Sequence, residues 1–202
     1  MSHHHHDHEH EHDHEHDHDV ELTDAEAQAE AERLVRKELA LSQIRQYGDP
    51  VLRMRAEEVE TFDEELQGVT ERMRELMHDA DGVGLAATQV GILRRFFVCT
   101  LEEQDHVLVN PVVTPVGDDA ETEAEGCLSL GTLRVPVERS LRVRVEAKDA
   151  TGAPVTLELE GHPARVVQHE LDHLDGRLML DRTDPESRRE ALGALRPRLV
   201  LS

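Results

Sequence analysis

Apolar residues recur at every third or fourth position in several stretches of the chain, a spacing that places them on one face of an α-helix. Two helices are predicted before residue 100, over residues 23–45 and 61–80, and two after residue 160, over residues 162–175 and 184–195. The stripe in 61–80 is the most complete: Phe62, Leu66, Val69, Met73, Leu76 and Met77. The helix at 23–45 has only a thin apolar face, so we expect it to project from the body or to pack only at its end.

Between the second and third helices the chain alternates β-branched and apolar residues with clusters of turn residues. Strands are predicted over residues 95–100, 106–110, 112–116, 141–147 and 155–159. Residues 149–152, Asp-Ala-Thr-Gly, predict a hairpin turn between the last two strands. Helices on both sides of a group of strands predict an α+β domain, in which the helix at 162–175 packs on the sheet.

Length and charge bound the function. With 202 residues the chain has room for one ordinary domain plus a tail. Residues 1–32 hold 12 acidic residues and no Lys or Arg, so the formal charge of −22 leaves −22 + 12 = −10 for the remainder. This balance argues against nucleic acid as a partner. No apolar run has membrane-spanning length, and two cysteines make no disulfide framework, so we expect a soluble, cytoplasmic protein without a membrane partner.

The first 22 residues differ in composition from the rest. Ten of the fifteen histidines lie within residues 1–19, most of them alternating with Asp or Glu, and such a segment is predicted to be disordered. It could be a purification tag, a metal-gathering tail or a solubilising extension, and we favour the metal-gathering interpretation. We therefore divide the chain into a tail at 1–22, a helical extension at 23–45 and a single domain at 46–202.

Residues 168–173, Gln-His-Glu-Leu-Asp-His, place two histidines four positions apart in a predicted helix. His169 and His173 then lie one turn apart on the same face, so their ring nitrogens can converge on one metal ion. Glu170 is offset from them and is placed to reach a water at that ion. Such a pair also occurs on solvated helix faces, and a third ligand is needed to complete a site.

Three positions compete for the third ligand. The extended metalloprotease pattern requires a histidine where this chain has Met179, which makes that version unfavourable. Glu190 in the closing helix would suit a zinc peptidase of another type. Cys127, in the run Glu-Gly-Cys-Leu-Ser, is the stronger candidate, because a thiolate and two imidazoles leave one position open for water or substrate. The alternative for Cys127 is a small buried apolar residue.

A glycine-rich stretch follows the helix at 61–80. Its two glycines at positions 82 and 84 resemble a phosphate loop, but Ala87 stands where a dinucleotide fingerprint has its third glycine, so that interpretation fails. Gln89 is a polar residue in an otherwise apolar run and needs a hydrogen-bond partner if it is buried. We favour a structural bond to the backbone over a bond to a substrate carbonyl.

Three separate stretches together resemble the signature motifs of the peptide deformylase family, in the family's order: residues 82–89, 125–129 and 168–173. The resemblance covers roughly residues 44–183. It implies antiparallel or mixed sheets around a central metal-binding helix. It also implies removal of the formyl group from the N-terminal formylmethionine of nascent chains near the ribosome. The implied cofactor is one divalent metal ion per chain, Fe²⁺ in the cell with Zn²⁺, Ni²⁺ or Co²⁺ as substitutes, and the implied state is a monomer or weak dimer.

The resemblance also implies residue roles. Cys127, His169 and His173 would hold the metal, Glu170 would act as general base and then as general acid, and Gln89 with the Leu128 N–H would bind the oxyanion. Substrate contacts would come from the following residues: Val83, Gly84, Gly126, Arg134, His162 and Val166.

Two departures from the family pattern concern the substrate cleft. The run after Ser129, which ends at Arg134, lacks a proline common in the family. His162 stands where relatives commonly have an apolar residue beside the methionine pocket; we favour a surface or wall position for it over an altered pocket. A zinc peptidase and a metal-buffering protein remain the alternative functions.

Overall fold

The computed structural model describes residues 23–195, so the predicted tail at 1–22 and the last seven residues lie outside the described part. Helix α1 spans Asp24–Gln43, α2 spans Glu64–Asp79, α3 spans His162–Leu174 and α4 spans Pro185–Leu195. All four predicted helices are confirmed within a few residues. Among residues 23–195, no helix is both long enough and apolar enough to cross a membrane.

Helix α1 starts with a reciprocal cap, in which the Thr23 side chain accepts from the Glu26 N–H and the Glu26 carboxylate accepts from the Thr23 N–H. Its first three turns are exposed, Lys37 is half-buried, and full burial begins with Ala40 and continues into Ile44 just past its end. The apolar residues on its outer side stay in solvent; Val35 and Leu39 are 56% and 60% exposed. The helix therefore packs on the body only through its C-terminal part.

Within residues 23–195, seven strands form two antiparallel sheets. The larger sheet has the order β1-β2-β3-β6-β7, and the smaller one pairs β4 with β5. The strand bounds are as follows: Gly84–Ala86 (β1), Phe96–Leu101 (β2), Gln104–Pro115 (β3), Ala120–Gly126 (β4), Arg134–Ser140 (β5), Arg142–Lys148 (β6) and Pro154–Glu160 (β7). The α+β class and the hairpin at 149–152 are confirmed, and Gly152 takes the left-handed φ of 89° at that turn.

The prediction of two strands at 106–110 and 112–116 was wrong, because one strand, β3, runs through both. Its register against β6 shifts between Val109 and Val112, at Asn110, which has a φ of 51°. The Asn110 amide donates to the Val59 carbonyl and accepts from the Val59 N–H, at 2.9 and 2.8 Å. These two bonds stabilise a β-bulge. In the sequence, the same position resembled a gap between two separate strands.

The core lies on both faces of the larger sheet. Residues of β2 alternate between the two sides: Phe96 and Val98 pack in the cluster that includes α2, and Phe97 and Cys99 in the cluster that includes α3. All four are fully buried. Helix α3 therefore packs on one face of the larger sheet, as predicted.

Candidate active site

Three potential metal ligands converge where α3 meets the end of β4. Gly161, with a φ of 64°, starts α3, and the helix carries His169 and His173 one turn apart with ring centroids separated by 5.0 Å. Cys127 directly follows β4, and its Sγ lies 3.3 Å from His173 Nε2. One donor atom from each of these three residues lies within 4.8 Å of the other two.

The donor set fits a divalent transition metal. A thiolate with two imidazoles is a known catalytic ligand set for such ions. Glu125 Oε2 lies 2.9 Å from His169 Nδ1 and so leaves Nε2 of that ring for the ligand cluster. A carboxylate on the second ring nitrogen is the usual partner of a metal-binding histidine, because it fixes the tautomer and the ring orientation. Glu190, the alternative ligand, is exposed on α4 and is not part of this cluster.

Glu125 is held by a buried network of charges. The Arg139 guanidinium donates two bonds to its carboxylate, at 2.9 and 3.0 Å, and Arg165 donates a third at 2.9 Å. Arg139 also donates to Asp172, the α3 residue that precedes His173. Burial alone would raise the pKa of Glu125, but the hydrogen bonds from His169 and Arg139 outweigh it and hold that pKa far below its usual range. The carboxylate that orients His169 is therefore ionised at neutral pH.

Glu170 is a buried carboxylate with an incomplete set of partners. It is 4% exposed, and its Oε2 has no hydrogen-bond partner in the described part of the chain. Desolvation by burial raises the pKa of Glu170 from 4.5 to about 7. Gly84 allows its approach, since a Cβ at that position would lie 2.2 Å from Glu170 Oε1. A carboxyl group that can both take and return a proton near neutral pH suits general acid–base chemistry.

Gln89 makes the backbone bond that its sequence context favoured, and it also points its amide group at the ligand cluster. Its Oε1 accepts from the Ala86 N–H at 2.9 Å. Its Nε2 lies 3.1 Å from Ser129 Oγ and 3.7 Å from Cys127 Sγ. Because the oxygen is fixed by the backbone, the two interpretations of Gln89 are compatible: a structural bond orients a donor group.

These residues open onto a cavity of about 680 Å³, the substrate cavity. Of the site residues proposed from the sequence, only His173 does not line this cavity; it is buried behind it. The others all line it: Val83, Gly84, Gln89, Gly126, Cys127, Leu128, Arg134, His162, Val166, His169 and Glu170. His162 and Arg134 are exposed side chains at the wall of this cavity. For His162 this agrees with the surface or wall position favoured from the sequence.

No pattern in the sequence indicated that residues of α1 or the Arg139 network lie near this site. Lys37 and Leu41 of α1 also line the substrate cavity. Only Glu125 carried a usable signal, because it stands two residues before Cys127 in the 125–129 motif. Arg139 is one of many arginines, and only the fold shows that it is buried beside two carboxylates.

Comparisons with known proteins agree with this geometry. The sequence model of the family described as polypeptide deformylase matches residues 41–189. The peptide deformylase of Thermotoga neapolitana is 49% identical over 146 residues, which are 72% of this chain and 89% of that protein. Peptide deformylase 1 of Corynebacterium glutamicum is 45% identical over 163 residues, covering 78% and 96%.

Solved structures give the same result for the fold. The crystal structure of the Thermotoga maritima peptide deformylase superposes with a TM-score of 0.68 at 48% identity, covering 70% of this chain and 97% of that one. The peptide deformylase of Synechococcus elongatus, in complex with actinonin, superposes with a TM-score of 0.71 at 41% identity, covering 75% and 84%.

Proposed function

The chain belongs to the polypeptide deformylase family, and on that premise we propose how its residues carry out deformylation. The reaction is hydrolysis of the N-formyl group from the N-terminal formylmethionine of newly synthesised polypeptides, which releases formate. The observation that carries the proposal is the convergence of Cys127, His169 and His173 beside the buried Glu170 at one cavity. Family membership favours this function over the zinc-peptidase and metal-buffering alternatives.

We assign the metal to Cys127, His169 and His173, one ion per chain. Fe²⁺ is the proposed ion in the cell, and Zn²⁺, Ni²⁺ or Co²⁺ would replace it in preparations. When bound at such a site, an ion of this kind polarises a carbonyl and lowers the pKa of water towards about 7. Glu125 keeps the His169 ring in the ligating orientation through its bond to Nδ1.

Glu170 is the proposed general base and general acid. It takes a proton from the attacking water as the new carbon–oxygen bond forms, and it then returns that proton to the nitrogen as the carbon–nitrogen bond breaks. The products are formate and a free amino terminus. Burial supports this double role, because it keeps the carboxyl group near its protonation midpoint at neutral pH.

Gln89 and the Leu128 backbone N–H are proposed to stabilise the negative charge that develops on the formyl oxygen. The bond from the Ala86 N–H to Gln89 Oε1 orients the amide so that its Nε2 is directed at the Cys127 side of the cavity. A donor fixed before the reaction begins needs no reorganisation when the charge develops, which is the basis of its effect on rate.

The substrate peptide is proposed to lie between two strand edges. Val83 and Gly84 come from one side of the substrate cavity, at the start of β1, and Gly126 comes from the end of β4 on the other. An extended chain can pair with such edges through its backbone groups. Val166, with His162 and Arg134 nearby, is proposed to wall the pocket for the methionine side chain.

The cellular setting is also a proposal. The substrates would be nascent chains close to the ribosome in the cytoplasm, and the protein would act as a monomer or weak dimer. No described feature calls for a nucleic-acid or membrane contact.

The test is formate release from formyl-Met-Ala-Ser by anaerobically purified full-length protein, with the metal counted per chain. Glu170→Ala should abolish turnover and keep the metal, and Cys127→Ala should lose the metal. Glu190→Ala is the matched control: it changes an exposed carboxylate and should leave both metal and turnover intact. Absence of formate from fully metallated wild-type protein would refute the proposed function.

A further inference from the structure

Helix α1 lies almost wholly before the segment that the family shares, which begins at residue 41. Its residues Lys37 and Leu41 nevertheless line the same cavity as Cys127 and Glu170. We infer that α1 is a specificity-determining wall of the substrate cavity, at which Lys37 and Leu41 contact the formylated peptide beyond its first residue. The inference rests on the proposed function and adds a substrate contact that the shared motifs do not contain.

Two kinds of contact hold α1 in place. Ala40 and Ile44, at its C-terminal end, are buried in the core cluster that includes α2. On the same side of the helix, Lys37 Nζ and Arg33 Nη1 lie 2.9 and 2.6 Å from one carboxylate oxygen of Asp81. Partly exposed ion pairs contribute little stability. Their consequence here is geometric, because they fix the rotation of a helix whose position is already set by burial.

Asp81 joins α1 to the proposed substrate-binding edge. It lies two residues after α2, takes the left-handed φ of 55°, and begins the run that leads through Val83 to Gly84. The Val83 carbonyl accepts from the Thr100 N–H of β2 at 2.9 Å, so this run is also tied to the sheet. The loop that would pair with the peptide therefore carries the anchor of the α1 wall.

The chemistry of the two side chains indicates what they would contact. The Lys37 ammonium has three N–H donors, and its only charged partner in the described range 23–195 is Asp81. The other donors suit a carbonyl or carboxylate of the peptide. Leu41 is half-buried and packs with the same apolar cluster as Leu128, so it offers an apolar surface one turn further along α1.

The position of α1 indicates which part of the peptide is involved. The reacting formyl group must lie at the ligand cluster, and the proposed methionine pocket is walled by α3 residues such as Val166. Helix α1 packs instead against α2. Lys37 and Leu41 therefore suit the second and third residues of the peptide.

The experiment compares KM for a minimal substrate, formyl-Met amide, with KM for formyl-Met-Ala-Ser, on the metallated full-length protein. Lys37→Gln and Leu41→Ala should each raise KM for the tripeptide about fivefold, the effect of one lost or weakened contact. KM for formyl-Met amide and both kcat values should not change. Arg36→Gln and Leu39→Ala are matched controls on the exposed side of α1 and should change neither KM.

Asp81→Asn provides a second line of evidence. Asparagine tolerates the left-handed backbone and removes the charge that binds Lys37, so this variant should also raise KM only for the tripeptide. Thermal unfolding midpoints establish that each variant is folded. If Leu41→Ala is destabilised, Lys37→Gln still tests the inference, because it leaves the apolar packing intact.

The outcomes separate the two proposals. Equal KM changes for both substrates, or no change in any variant while formate is released, would overturn the inference and leave the proposed function standing. No formate from the wild type would refute the proposed function, and the inference with it.

Discussion

Replacing Gly84 by alanine tests whether catalysis depends on the position of the Glu170 carboxylate. The three atoms nearest to an ideal Cβ at Gly84 all belong to Glu170: Oε1 at 2.2 Å, Cδ at 2.8 Å and Cγ at 2.9 Å. Ordinary contact between a carbon and another heavy atom needs about 3.5 Å, so the carboxylate must move by roughly 1 Å. A displacement of that size typically reduces a catalytic rate by about 100-fold, or about 2.7 kcal/mol of transition-state stabilisation.

The assay is steady-state formate release, with metal content and thermal midpoint measured on the same preparations. Gly84→Ala should lower kcat about 100-fold and keep one metal ion, because the three atoms nearest to the added methyl group belong to Glu170, which is not a proposed metal ligand. Crowding in the core should also cost about 1–3 kcal/mol of stability. Gly193→Ala, in α4, is the control: a Cβ placed there has no atom within 4 Å apart from the adjacent backbone of its own helix, and the activity of this variant should stay at the wild-type level.

A double-mutant cycle identifies the cause. Glu170→Asp shortens the side chain that the new methyl group meets, so its effect in the Gly84→Ala background should be much smaller than its effect in the wild type. Activity of Gly84→Ala within about threefold of wild type would refute the reasoning, since the predicted loss is about 100-fold. Additive losses in the double variant would refute the steric link between the two residues.

Three further predictions concern buried polar groups. Burial raises the folded-state pKa of Glu170 from 4.5 to about 7, so its contribution to stability is full below 4.5 and is lost as the pH rises through 7. In urea unfolding of metal-free protein, Glu170→Gln should therefore match wild type at low pH and exceed it above pH 7, by up to about 3 kcal/mol; a difference independent of pH would contradict this. Gln89→Leu should lower kcat about 100-fold with little change in KM, and an effect confined to KM would exclude a role in oxyanion binding. Arg139→Leu strands two buried carboxylates and should cost about 3–5 kcal/mol in guanidinium unfolding. The partly exposed Arg142 is the control, since its replacement by leucine should cost less than about 1 kcal/mol; equal losses would mean that the buried network adds no stability.

Part of the ligand cluster could be predicted because two of its members, His169 and His173, are close together in the sequence. A helix places residues four positions apart on one face, so His169 and His173 converge in any structure where their segment is helical. The third ligand needed more, since a single cysteine is usually a core residue. Only the joint occurrence of the three motifs distinguished Cys127 from Cys99, and the structure places the first in the cluster and the second in the core.

Strands with little apolar character could not be predicted in the same way. Strand β4 reads Ala-Glu-Thr-Glu-Ala-Glu-Gly, and only Glu125 of its seven residues is buried. Acidic residues are unfavourable in strands, so no local pattern distinguishes β4 from a loop. Its partner β5 has Pro136 in its middle, which argues against a strand, and β1 has only three residues, too few to show a period; both were missed as well. The Arg139 network was invisible for a different reason: its partners are far apart in sequence.

Strands β1 and β4 each leave one edge without a partner among the described strands. Unpaired strand edges invite pairing with any extended chain, including another copy of the same protein, and so promote aggregation. Both edges carry features that oppose this: β1 has only three residues, and the exposed Glu121 and Glu123 of β4 would repel an identical strand. Under the proposed function, the same edges accept one extended peptide and are protected in this way against self-association.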